Sequence, residues 1–132
     1  QLGTVTCLVA AIVLTLGTVV TGSGPHSGDA DTPARFGLDP RTISWLHADA
    51  VMLFVGLVVA TWVAVRLTGS DDSRAAGAWG AVLLVTVAQG VVGYAQYLTD
   101  LPWLLVLGHM LLAALLVVTL TRAMVALRTR HA

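Results

Sequence analysis

Two histidines, His47 and His109, are the residues of this chain best suited to do chemistry. The chain has four histidines, and these two lie inside long apolar stretches. Each follows the start of its stretch by about five to seven residues, so at the rise of an α-helix both are roughly 7 to 11 Å below the helix start. Ionisable side chains at such depth in a membrane are costly and usually functional. The pair is therefore the centre of the candidate site.

The spacing of the two histidines favours haem over other metal sites. Neutral imidazole is an ordinary axial ligand, and two imidazoles at matched depth can bind one iron from opposite faces of a porphyrin. A zinc or copper site needs further ligands, and Asp49 lies about 200° around the helix from His47, which weakens that option. The haem-free alternative is that each imidazole hydrogen-bonds a neighbouring helix. This alternative stays open.

Small and amide side chains on the third apolar stretch are candidates for lining a pocket. A flat macrocycle needs small residues where a helix backbone faces it, although glycine at helix crossings is common in any membrane bundle. Gln89 lies four residues before Gly93 and seven before Gln96, so these three share one helical stripe. The candidates are Gln89, Gly90, Gly93 and Gln96.

The first connection supplies three further candidates. Arg35 and Arg41 are the cations available on that side of the bundle, and arginine pairs favourably with carboxylates such as haem propionates. Loop arginines are also commonly just solvated. His26 is either a surface residue or lies over the outer mouth of the bundle.

Four apolar stretches position these residues: 2–20, 42–67, 76–98 and 102–127, with an outer loop at 21–41. Each is near or above the roughly 20 residues that cross about 30 Å of hydrocarbon. Lipid offers backbone groups no partner, so the stretches are predicted to be helices despite their many Val and Thr residues. The predicted fold is an all-α integral membrane protein, with residues 1–132 forming a single bundle of four transmembrane helices.

Arginine positions predict the orientation of this bundle. Five of the seven arginines belong to the side of the second connection and the C-terminal tail. By the positive-inside rule, both termini are cytoplasmic. The single histidines of the second and fourth spans also suggest two helical hairpins related by a pseudo-two-fold axis.

Composition excludes several other classes of protein. The chain is 57% hydrophobic and 11% charged, with a net charge of zero, so it is too apolar for a soluble protein and lacks a basic tract for nucleic acid. Cys7 is the single cysteine, which rules out an intramolecular disulfide or a cysteine metal cluster. Membrane lipid is the expected surrounding. Because the chain starts with Gln, we expect it to be a piece of a longer polypeptide.

A set of motifs, in order along nearly the whole chain, resembles the C-terminal half of haem A synthase, especially its actinobacterial form. The combination is far more specific than any single motif. The motifs are GTVVTGSGPHSGD at 17–29, RFGLD at 35–39, LHAD at 46–49, QGVVGYAQY at 89–97, LP at 101–102 and HM at 109–110.

The resemblance implies an oxidoreductase of the bacterial plasma membrane that oxidises a methyl group of haem O to the formyl group of haem A, for terminal oxidase biogenesis. It implies that His47 and His109 hold a haem b cofactor in the C-terminal half of an eight-helix protein. The implied partners are the N-terminal half, which carries haem O, and haem O synthase or respiratory oxidase components. Bis-histidine ligation leaves no open iron position, so this haem b would transfer electrons.

Two other functions remain open from the sequence. One is a stand-alone membrane b-type cytochrome or electron-transfer subunit without synthase activity, which the absence of Glu favours if the chain is complete. The other is a haem-free membrane scaffold.

Overall fold

The computed structural model describes residues 1–25, 36–68 and 73–128. Across these ranges the chain is helical and contains no strand. The four helices are α1 (Leu2–Ser23), α2 (Pro40–Thr68), α3 (Ser73–Leu98) and α4 (Trp103–Arg128). All four are long and apolar enough to cross a membrane. The predicted all-helical fold with four candidate spans is confirmed.

Helices α1 and α2 extend beyond the predicted apolar stretches at the first connection. In α1, the hydroxyl groups of Thr21 and Ser23 donate to the carbonyls of Gly17 and Val19, so polar residues continue the helix. Helix α2 begins earlier than predicted because Asp39 caps it. The Asp39 carboxylate accepts hydrogen bonds from the backbone N–H and the hydroxyl of Thr42, at 2.8 and 2.6 Å.

The chain divides into two compact units, and the first comprises Gln1–Gly56. It contains α1 and the N-terminal half of α2. Beyond α1, the Phe36 backbone N–H donates to the Gly22 carbonyl at 3.0 Å, and the Phe36 ring lies directly against Gly22. A side chain on Gly22 would meet that ring, so glycine permits this close approach.

The second unit comprises Leu57–Ala132 and contains the rest of α2 and all of α3 and α4. Helices α3 and α4 pack against each other. Trp79 and Val82 are fully buried here. The Trp62 indole of α2 lies close to Gly80 of α3, where an added Cβ would be 3.4 Å from Nε1.

A tight turn joins α3 to α4. Asp100 and Leu101 both have left-handed backbones, with φ of 58° and 57°. The Leu101 N–H donates to the Gln96 carbonyl at 3.0 Å, which satisfies a carbonyl at the end of α3. Pro102 follows, and its carbonyl accepts from the N–H of Leu105 and begins α4.

Most of the helical surface is apolar and exposed, as lipid contact requires. Within the apolar window of α4, only 11% of the residues are buried. Polar threonines are satisfied without water, because their hydroxyls donate to carbonyls of their own helices. Thr6, Thr61 and Thr86, for example, bond the carbonyls four residues earlier.

Candidate functional site

His47 of α2 packs against Gly17 of α1, within the first unit. The imidazole is half-buried, and a Cβ added to Gly17 would lie 3.4 Å from its Cε1 and 3.9 Å from its Nδ1. The imidazole also interacts with the backbone of Val13. Its Nδ1 is buried and has no hydrogen-bond partner among the described residues. Glycine therefore makes room for the ring on α1, while one ring nitrogen stays unsatisfied.

His109 of α4 has the corresponding relation to Gly93 of α3, within the second unit. A Cβ on Gly93 would be 3.2 Å from the His109 Cε1 and 3.7 Å from its Nδ1. This approach is closer than the one at Gly17, so the ring would have to move if Gly93 carried a side chain. In both units the glycine lies on the helix that precedes the histidine.

The Gln89 side chain of α3 makes three contacts with α4, and two of them are with His109. Its amide orientation follows from the groups around it, since only one orientation pairs donors with acceptors. In that orientation the amide nitrogen donates to Nδ1 of His109 at 3.0 Å and to the His109 carbonyl at 3.1 Å. The amide oxygen accepts from the Ala113 N–H at 3.0 Å. Gln89 thus contacts both the ring and the backbone of α4.

The same spacing of inward positions recurs on both glycine-bearing helices. Counted back from the glycine, buried residues occur 7, 11 and 14 positions earlier on α1 and on α3. The position 4 earlier is Val13 in α1 and Gln89 in α3, and each contacts the histidine of its unit. The buried residues are Ala10, Thr6 and Gly3 on α1, and Thr86, Val82 and Trp79 on α3.

The histidine-bearing helices repeat this spacing in the opposite chain direction. Counted forward from the histidine, buried residues again occur 7, 11 and 14 positions later. These are Phe54, Val58 and Thr61 on α2, and Leu116, Leu120 and Ala123 on α4. Each histidine therefore stands on the stripe of its helix that packs inward.

The other residues predicted for the site have no contact with either histidine in the described contacts. Gly90 is exposed, and an added Cβ would meet no atom within 4 Å. Gln96 is 7% exposed, and its carbonyl accepts from the turn before α4. Arg41 is exposed and lies over the Trp45 ring, 5.1 Å from its centroid. His26 and Arg35 lie outside the described residues.

Sequence reasoning missed Val13 as a contact of His47. Its contribution is a backbone group, which carries no sequence signal of its own. A signal existed in the spacing, since Val13 precedes Gly17 by the four residues that separate Gln89 from Gly93.

A protein-only metal cluster is not formed by the described part of the chain. No group of three or more His, Cys, Asp or Glu residues is close enough there to hold a metal ion. Asp49 is exposed on α2. Each unit therefore offers one intrahelical imidazole as a nitrogen ligand: His47 in the first and His109 in the second.

Searches of protein-family models, curated proteins and solved structures found no match to the chain.

Proposed function

We propose that this chain is the haem b-binding half of a haem A synthase, with His47 and His109 as the two residues that would bind the haem iron. The observation that carries the proposal is that each unit presents one half-buried imidazole against a glycine of the preceding helix. A porphyrin gives its iron four ligands, and the iron can take two more, which is the number of imidazoles that these helices provide. The choice of haem A synthesis as the activity rests on the motifs that resemble those of haem A synthase.

The donor set fits a haem. The buried Nδ1 of His47 without a partner is a polar group that is costly to leave unsatisfied, and functional sites often retain such groups. Glycine at positions 17 and 93 lets each ring come close to the neighbouring helix backbone. In the described residues there is no third ligand that would favour zinc over haem.

The matching spacing around the two glycines and two histidines supports a pseudo-two-fold repeat of helical hairpins. Inward positions at 7, 11 and 14 residues from the glycine or histidine occur on all four helices. Two hairpins with the same internal register would bring equivalent ligands to equivalent depths. We extend the proposal to termini on the cytoplasmic side of a bacterial plasma membrane, following the arginine distribution.

The residues of this chain would hold and tune the cofactor. His47 and His109 would supply nitrogen lone pairs, and Arg41 would neutralise an acidic substituent at the outer end of α2. When bound, haem b would supply one-electron transfer chemistry for the reaction that converts haem O to haem A. Haem O would be carried by an N-terminal half, with haem O synthase or oxidase components as further partners.

A membrane b-type cytochrome without synthase activity is the second candidate. The same imidazoles would serve it, and the sequence contains no Glu that could act as an acid or base. It differs from the first proposal in the product, since an electron carrier would make no haem A.

Absorption spectroscopy of the purified protein with haem b tests the ligand assignment. A low-spin b-type spectrum is expected, and His47→Ala and His109→Ala should each abolish it. His131→Ala is the matched control and should leave the spectrum intact. A low-spin spectrum that survives both intramembrane substitutions would overturn the assignment.

Pigment extraction separates the two haem functions. In cells that supply haem O, the full-length protein should accumulate haem A, and the two histidine variants should not. An intact b-type spectrum with no haem A would favour the cytochrome.

A further inference from the structure

The two histidines differ in what contacts their Nδ1 atoms. At His109, the Gln89 amide nitrogen lies 3.0 Å from Nδ1. At His47, Nδ1 is buried without a partner in the described part of the chain, and the residue at the equivalent position to Gln89 is the apolar Val13. The imidazole of His109 therefore has a side-chain amide beside Nδ1 that can donate or accept a hydrogen bond, and the imidazole of His47 has none in the described part of the chain.

An amide next to Nδ1 controls which nitrogen of a neutral imidazole carries the proton. Neutral imidazole has one N–H donor and one acceptor nitrogen. When the amide nitrogen donates to Nδ1, the ring proton must be on Nε2. When the amide is turned, its oxygen can accept from an Nδ1–H, and the Nε2 lone pair becomes available to a metal.

The surroundings of Gln89 favour the first of these two orientations. The amide nitrogen also donates to the His109 carbonyl, and the amide oxygen accepts from the Ala113 N–H. Turning the amide would place oxygen against the carbonyl and nitrogen against the N–H. These two backbone contacts therefore fix the amide orientation that keeps the ring proton on Nε2. Turning the amide breaks both contacts, so it requires a ligand at Nε2 whose binding offsets their loss.

We propose that Gln89 is a positioning residue that sets the tautomer of His109, and that its amide turns over when Nε2 of His109 binds a metal. The metal-bound part of this inference rests on the proposed haem site, whereas the tautomer in the cofactor-free chain does not. His47 lacks such a side-chain control, so the two ligands are inequivalent despite their matching registers.

Nitrogen-15 NMR of histidine-labelled, cofactor-free protein in detergent micelles tests the tautomer directly. Wild-type His109, assigned by the signals that disappear in His109→Asn, should show a protonated Nε2 and an unprotonated Nδ1. Gln89→Met, of similar length but without the amide, should shift His109 toward a mixture of tautomers. Thr86→Val is the matched control, because the Thr86 hydroxyl bonds only within α3 in the described contacts.

Unchanged His109 signals in Gln89→Met would overturn the proposal. If that variant does not fold, the wild-type spectrum decides alone, because a proton on Nδ1 of His109 contradicts the assigned amide orientation.

Redox titration of the haem-loaded protein tests the turnover of the amide. Loss of the acceptor for Nδ1–H lowers ligand basicity, so Gln89→Met should raise the haem reduction potential while Thr86→Val leaves it unchanged. Equal potentials in wild type and Gln89→Met would reject the turnover. A tautomer shift in protein that binds no haem would reject the proposed function and leave the cofactor-free inference standing.

Discussion

Asp39 shows how one exposed carboxylate fixes the start of a membrane helix. Its carboxylate accepts from the Thr42 hydroxyl and backbone N–H, and Pro40 supplies a first helical residue that needs no hydrogen bond. The hydroxyl bond, followed by the backbone bond, lowers the Asp39 pKa below its ordinary value of 3.8. The ionised form is therefore the one that caps α2.

The first prediction concerns the pH dependence of this cap. Because the folded pKa is lowered, the cap contributes its full stability above the ordinary value of 3.8, and loses it as the pH falls through the folded value. The Thr42 amide resonance in NMR should therefore titrate with a midpoint below 3.8. Asp39→Asn caps a helix without ionising, so its Thr42 resonance should stay flat. A midpoint at or above 3.8 would contradict the assigned hydrogen bonds.

The second prediction concerns the two glycines that face the histidines. Alanine at position 93 would place Cβ 3.2 Å from the His109 Cε1, whereas alanine at position 17 would lie 3.4 Å from the His47 Cε1. Overpacking of this kind costs about 1–3 kcal/mol, and alanine returns about 1 kcal/mol of helix propensity. Thermal unfolding in detergent should show a loss for Gly93→Ala and little change for Gly17→Ala.

Gly56→Ala provides the control for this comparison. An added Cβ at Gly56 meets nothing within 4 Å, so only the propensity gain remains and the variant should be at least as stable as wild type. Equal losses at positions 17, 56 and 93 would show that packing on the imidazoles is not the cause.

Residue types alone pointed to His47 and His109 but not to all their contacts. Imidazoles in an apolar stretch stand out because burying them is costly. The stripe shared by Gln89 and Gly93 could be read from their spacing, and both residues contact His109. The Val13 contact has the same four-residue spacing from Gly17, but the residue type gives no signal, because every residue has a backbone and only tertiary geometry selects which backbone group contacts the ring.

At the scale of elements, the α3–α4 turn concentrates backbone strain in two adjacent residues. Asp100 and Leu101 both adopt the left-handed region, which costs roughly 1–2 kcal/mol for most residues and less for Asp. The bond from the Leu101 N–H to the Gln96 carbonyl ties this geometry to the end of α3. The strain is thus part of the connection that fixes how α4 follows α3.

The third prediction tests the strain at Asp100. Asp100→Ala removes the side chain that tolerates the left-handed region and should destabilise the protein by about 1 kcal/mol. Asp100→Gly adopts that region freely and should be at least as stable as the alanine variant. Thermal unfolding of the three proteins measures the order, and an alanine variant more stable than the glycine variant would contradict the assigned backbone.

Helix positions were predictable from apolar length, whereas helix ends were not. Side-chain bonds extend α1 through Thr21 and Ser23, and the Asp39 cap starts α2 at Pro40. Hydropathy assigns such polar residues to a connection between helices. Their hydroxyls can nevertheless hydrogen-bond the backbone carbonyls of the helix that they end. The turn at Asp100 was likewise hidden, because neither residue there is glycine.

At the scale of the whole molecule, apolar composition conceals which face of each helix packs inward. Lipid-facing and inward residues are both apolar, so amphipathicity carries little signal in such helices. Val58 is fully buried while its neighbour Val59 is 39% exposed, yet the two are the same residue type. The histidines give the register that hydropathy lacks, since buried positions follow each at fixed spacings.

Charges at the helix ends bear on how the molecule sits in a membrane. Helix α2 carries an Arg–Trp pair near each end: Arg41 lies over Trp45, and Arg66 lies 4.5 Å from the centroid of Trp62. Such pairs suit the interface, where indole rings sit at headgroup depth and guanidinium groups reach water. They lie where the membrane boundaries of α2 are expected, and they do not distinguish inside from outside.

The fourth prediction is the orientation that the arginine distribution implies, with the first and third connections outside the cell. A chain carrying Cys7→Ala provides the cysteine-free background, and single cysteines are then introduced at Gly37, Ser70 and Thr99. A membrane-impermeant maleimide added to intact cells should label the cysteines at positions 37 and 99. The cysteine at position 70 should react only after the membrane is permeabilised.

The positions chosen for this experiment make its outcome decisive. Gly37 and Thr99 are exposed, and an added Cβ at Gly37 meets no atom within 4 Å, so packing does not block the reagent. The cysteine-free background should stay unlabelled and reports nonspecific reaction. Because adjacent connections of a membrane-spanning helix must lie on opposite sides, labelling of position 70 alone in intact cells would invert the orientation and place the termini outside.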